Sequence, residues 1–188
     1  MARLVIELPA AVTARMGGPE NCRMVFGSIH AGAAANVIPA TGVVTGSLRT
    51  PDRQAWDQVP EVLRQCLDEV LAPTGAGWSL RHVRGVPPVI NDERSARILA
   101  RAGRSFLGDP AVTETEHSWG GDSFGWMTSA APGAYVRLGT HDPAAPDHLD
   151  LHHSRFDVDE RAIAIGVRVL VRATLEALAT AHEPGGTQ

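Results

Sequence analysis

With 188 residues and 44% hydrophobic content, the chain can bury one or two cores, since domains commonly take about 100 to 150 residues. A net charge of −4 argues against a basic, nucleic-acid-binding face, and the excess of Arg and Ala over Lys points to a GC-rich bacterial source. Cys22 and Cys66 lack C-x-x-C spacing and secretory context, so they read as reduced core thiols.

The opening run, 2–16, is too short for a membrane span, is broken by Glu7 and Pro9, and lacks a signal-peptide layout, so it belongs to the fold. Its pattern allows a strand over 3–8. Gly17, Gly18 and Pro19 force a turn, and 22–30 reads as the first clear strand. The stretch 29–50 holds two strand-like runs around a tight centre with Asn36 and Pro39. Its glycines mark a bulge or a close backbone approach.

From Asp52 the period becomes helical, with Trp56, Val59, Leu63, Cys66 and Val70 on one face and Asp57, Arg64, Asp68 and Glu69 on the other. The helix stops at Pro73, Gly75 and Gly77, and 78–83 reads as a further strand before Pro87 and Pro88. Asn91 and Asp92 can cap a helix whose apolar face is Ala96, Leu99 and Phe106, ending at Gly108 to Pro110. A short strand near 111–113, a helix over 122–129 and a strand over 134–138 follow. Asp157, with Glu160 three residues on, has the layout of a capping box opening a long helix to about Ala181. Ile163, Val167, Leu170, Thr174 and Leu178 form its apolar face, and the tail 182–188 is expected to fray. Strands followed by helices that cover one sheet face make this an α+β chain.

Three blocks carry a resemblance. The first is H-A-G-x-A-x-N-V-I-P from His30, followed by Arg49 in G-S-L-R-T. The second, 119–140, is WGGDSFGWMTSAAPGAYVRLGT, and the third, 150–166, is DLHHSRFDVDERAIAIG. In this order they resemble the lid and C-terminal segments of the dinuclear-zinc amidohydrolase and carboxypeptidase family, which includes hippurate hydrolases, aminoacylases and glutamate carboxypeptidases. The match spans nearly the whole chain but only the C-terminal half of a typical member.

The resemblance implies an incomplete ferredoxin-like lid and dimerisation domain over 1–88, its first strand missing, and the C-terminal part of an α/β zinc-peptidase catalytic domain over 89–188. It turns the opening run into the tail of the first lid helix. It further implies a homodimer paired through the lid, a small-molecule amide substrate and a cytoplasmic setting, with neither nucleic acid nor membrane as partner. Two zinc ions would serve the complete enzyme without binding tightly to this chain alone. The implied reaction is hydrolysis of N-acyl amino acids or similar amides, by a protein of which this chain is one portion. A non-catalytic dimerisation or binding module left from such an enzyme is the alternative.

Site residues follow position by position. Asn36 and Arg49 match lid residues that reach the partner subunit's active site, where the amide helps hold the scissile carbonyl oxygen and the guanidinium pairs with the substrate carboxylate. A neutral donor suits a developing oxyanion and a planar fork suits a carboxylate. Gly120 and Gly121, entering a helix, can offer backbone N–H groups to the same carboxylate. Asp122 and Ser123 stand where relatives usually carry two acidic residues, which leaves the role of the second one open. The segment 141–153 holds four histidines and three aspartates in thirteen residues, and composition alone leaves a ligand loop and a solvated polar loop both open. The resemblance selects His152 as the metal-binding position and gives no role to His153, His141 or His148. Asp150 is open between a second-sphere acceptor and a plain loop aspartate. The family's H-x-D pair, bridging aspartate, glutamate pair and lid histidine are not found in this sequence.

Overall fold

The architecture was obtained as a computed structural model and describes residues 1–181. The tail 182–188, read above as frayed, lies outside the described residues. Two compact units form: Met1–Ile90 with His117–Ser129, and Asn91–Glu116 with 130–181. The segment 117–129 thus groups with the first unit although the chain has by then passed through part of the second.

The first unit is built on helix α1 (Ala2–Arg15), strands β1 (Arg23–Ala31) and β2 (Gly42–Arg49), and helix α2 (Arg53–Leu71). Residues 3–8 are therefore helical, as the resemblance implies and the strand pattern alone does not. The Asp52 carboxylate starts α2 by accepting the Ala55 N–H at 2.7 Å, which satisfies one orphan donor of the first turn. Val59, Leu63, Cys66 and Val70 are buried as the helical period demands, with Val62 and Leu67 widening the stripe. They meet Leu8 and Val12 of α1 and Cys22, while Met24, Phe26 and Leu48 come up from the hairpin. Both cysteines are free and buried, and burial pushes the Cys66 thiol above its ordinary pKa.

The hairpin is antiparallel, with Arg23 opposite Arg49 at one end and Ala31 opposite Gly42 at the other. Its register slips between Phe26 and Ser28, leaving Gly27 as the extra residue of a bulge. A Cβ on Gly46 would overlap the Val25 carbonyl oxygen and crowd Phe26, so the strand glycine marks the close backbone approach its position suggested.

The expected strand at 78–83 does not form. Among the described residues its backbone has no β partner. Side chains hold the segment along α2 instead: the Trp78 indole N–H donates to Asp68 at 3.1 Å, Leu80 joins the core, and Arg84 pairs with Asp57. Arg84 also lies 3.9 Å over the Trp56 ring, whose edge meets Trp126 of helix α4 (Phe124–Ala130) with ring centroids 5.9 Å apart. That contact secures α4 to α2.

In the second unit, α3 (Glu93–Leu107) packs on α5 (Arg161–Ala181) through Ile98, Ala102 and Ala173, flanked by Leu99 and Val169. Asp92 caps α3 by accepting the Ser95 N–H at 2.8 Å, and the Ser95 hydroxyl and amide hold its carboxyl below the usual range. Asn91 does something else. Its side-chain amide brackets the Tyr135 backbone, donating to the carbonyl at 2.9 Å and accepting the N–H at 2.8 Å. That side-chain clasp replaces the strand expected over 134–138, and 111–113 forms no strand either, opening on the end of a 3-10 turn.

Two helix faces differ from the periodic reading. Phe106 is 40% exposed, and α3 turns Ile98 and Ala102 inward instead. In α5 the buried residues are the small Ala162 and Ala173, while Ile163, Val167 and Leu170 remain 64%, 57% and 59% exposed. One neighbouring helix can cover only a narrow stripe of a 21-residue helix, and α3 takes the alanine side. The helix also begins four residues later than the capping-box pattern, because Asp159 rather than Asp157 accepts the Arg161 N–H, at 2.9 Å. Among the described residues no helix is long and apolar enough to cross a membrane.

Candidate functional site

The alternation of the hairpin decides which side chains share a face. Met24, Phe26 and Leu48 point to the helices, so Arg23 and Arg49, one residue out of phase and directly opposite each other, face away from them. The segment after His117 crosses that outer face. Arg23 lies 4.6 Å over the Trp119 ring, and a Cβ added to Gly121 would come within 2.8 Å of Arg49 Nη1. Trp119 is edge-packed on His117, with centroids 5.1 Å apart.

Arg49 and Gly121, chosen separately from the sequence, are therefore neighbours. Within its own chain Arg49 lies against Gly121. Gly120 contributes less than expected: its N–H donates to Ser118 Oγ at 3.1 Å, so the donor is already used. Asp122 accepts the Phe124 N–H at 2.8 Å and starts α4, a structural task for the first of the two positions where relatives carry acids.

Asn36 is not brought to this place. It sits exposed in the loop at the far end of the hairpin, next to the Ala31–Gly42 pair. Eight residue steps separate that end of β1 from Arg23, roughly 25 Å at strand rise.

His152 lies in an exposed loop of the second unit with a left-handed backbone, φ 74°. That conformation is uncommon for a residue with a side chain, though His adopts it more readily than most. His141 and His148 pack edge to face at 4.8 Å, and His148 Nε2 is 3.7 Å from Asp150 Oδ1. Among the described residues no group of three or more His, Cys, Asp or Glu is arranged to hold a metal ion. The histidine-rich loop thus does not assemble a site by itself, and the residues present do not fit a two-metal centre.

Sequence reasoning passed over Arg23 and Trp119. Arg23 was legible in principle, since pairing the two strands from the bulge outward sets it opposite Arg49. Trp119 required the fold, because nothing local says that 117–129 returns to the hairpin. A separate cavity of about 250 Å³ is lined by Arg53, Pro88, Ile90, Thr128 and Ser129, without Asn36, Arg49, Gly120, Gly121 or His152.

The chain is thus α+β, with an antiparallel hairpin packed on two helices and Arg49 beside Gly121 in the first unit, and a histidine-rich loop in the second. Residues 6–176 match the peptidase family M20/M25/M40, and the chain belongs to that family. It is 34% identical over 173 residues to a putative glutamate–cysteine ligase 2-3 of Rhodococcus jostii, covering 92% of this chain and 22% of that protein. It is 27% identical to the N-acetyl-L-cysteine deacetylase of Bacillus subtilis, covering 86% of this chain and 37% of that one. Its fold is similar to the crystal structure of the B. subtilis YXEP protein, described as a dinuclear metal-binding peptidase of the M20 family. There the TM-score is 0.74 and the identity 25%, covering 93% of this chain and 46% of that one. The chain thus spans less than half the length of these relatives.

Proposed function

We propose that this chain is the carboxylate-recognising and C-terminal portion of a metal-dependent amidohydrolase that cleaves N-acyl amino acids or similar amides. The observation that carries this reading is Arg49 beside Gly121: a guanidinium fork with no carboxylate partner among the described residues, against a backbone that a Cβ would block. A deacetylase among the relatives supports the reaction class. In this reading 1–88 belongs to a ferredoxin-like lid, of which the described residues form two strands, 89–188 is the C-terminal part of the catalytic domain, His152 is a metal ligand supplied to a centre completed by other residues, and Asn36 serves a site other than its own chain's. The divalent metals of the complete enzyme, taken here to be zinc, would activate water and polarise the amide. The exposed Ile163, Val167 and Leu170 would be the face on which the rest of that catalytic domain packs.

In a reconstituted enzyme containing this chain, Arg49→Ala is expected to raise KM for substrates with a free carboxylate by roughly thirtyfold. That corresponds to about 2 kcal/mol, the size of a charge-assisted hydrogen bond. Amidated analogues should be unaffected. An equal loss on both would remove Arg49 from carboxylate recognition.

The second reading is a non-catalytic dimerisation or binding module left from such an enzyme, with which the lack of a three-ligand cluster among the described residues is equally compatible. Both readings pair chains through the lid, whose two-stranded sheet has edges open to strand addition. Light scattering should therefore report a dimer, and a monomer at high protein concentration would count against that pairing.

A further inference from the structure

We propose that Arg23 is a second anion-recognising residue, which directs the Arg49 site toward amides carrying two carboxylates. The inference rests on the carboxylate-recognition reading above and extends it to substrate class.

Opposed residues of an antiparallel pair have Cα atoms about 4.5 to 5.5 Å apart, and like charges set this way destabilise the sheet. A fold with no use for the pair would neutralise it. In the first unit Arg3, Arg15, Arg53, Arg64 and Arg84 each have a carboxylate within 4 Å; Arg23, Arg49 and Arg81 have none among the described residues, and of these three only Arg23 and Arg49 stand directly opposite each other. Neither residue is left to wander. The Trp119 face carries the Arg23 guanidinium at 4.6 Å, which leaves the N–H groups around its rim available, and Arg49 is set against Gly121. Trp119 and Gly121 are two residues apart on one crossing segment, so the two forks flank Gly120 on the same outer face of the hairpin.

One carboxylate satisfies one fork in a bidentate pair. Two fixed forks side by side match two carboxylates separated by a few bonds, as in the N-acyl derivative of an acidic amino acid. Arg49 then holds the α-carboxylate common to all N-acyl amino acids, and Arg23 discriminates by the side chain.

The test is equilibrium binding of N-acetyl-L-glutamate and N-acetyl-L-glutamine to the full 188-residue chain, two probes of nearly equal shape that differ by one charge. The wild-type chain should bind the glutamate derivative about tenfold more tightly, a preference that shrinks as salt is raised. Arg23→Ala should abolish the preference while leaving the glutamine derivative's affinity unchanged, and Arg23→Lys should restore part of it. Arg49→Ala should weaken both probes, with far-UV and near-UV circular dichroism confirming that each variant is folded. Equal affinity of the wild type for the two probes, or an equal loss of both on Arg23→Ala, overturns the assignment of Arg23 and leaves Arg49 standing. Failure of the folded wild-type chain to bind either probe overturns the carboxylate-recognition reading and this inference with it.

Discussion

The 188-residue chain, supplied with zinc and an N-acyl amino acid, is expected to release no amino acid. A hydrolytic zinc site needs three or more N or O ligands converging at about 2 Å and a base to take the proton from water. The described residues assemble no such cluster, and the loop that comes nearest offers His148 and Asp150 only as an exposed pair 3.7 Å apart. Mixing the chain with the separately expressed remaining half of a relative should restore zinc-dependent turnover, and His152→Ala should remove it again. Turnover by the chain alone that survives His152→Ala would instead move the site to His141, His148 and Asp150. Whatever zinc the loop does hold should be lost on acidification, because imidazole ligates only in its neutral form.

A second large effect is expected at Gly125, where a methyl group should cost the first unit about 3 kcal/mol, the upper range for overpacking. A Cβ there would overlap the Pro87 carbonyl oxygen and crowd the Pro87 ring, and a backbone group cannot swing aside as a long side chain can. α4 would have to lift from 87–88, straining the Trp56–Trp126 contact. Gly27→Ala is the matching control, since a Cβ on that bulge residue meets nothing within 4 Å and its φ is not positive. Thermal melts should therefore show a drop of several degrees for Gly125→Ala and little change for Gly27→Ala. Equal Tm values would mean that α4 is not seated as described.

Local rules carried the sequence reading a long way. The period of α2 from Asp52 onward, the Asp92 cap and the bulged hairpin all depend on neighbours within a few residues, and all appear in the structure. The blocks around Asn36, Trp119 and His152 were enough to point to the family that the comparison then established. Tertiary structure decided the rest. A strand exists only where a second backbone satisfies its hydrogen-bonding edge, so 78–83 and 134–138, strand-like in composition, form no strand and are held by the Asp68 and Asn91 side chains instead. Amphipathicity names a face without naming what covers it, which is why α5 buries Ala162 and Ala173 and exposes Ile163, Val167 and Leu170. Arg49 and Gly121 were each legible in the sequence, but their adjacency was not. It depends on 117–129 returning across the outer face of the hairpin, a contact between segments some seventy positions apart that no local pattern encodes.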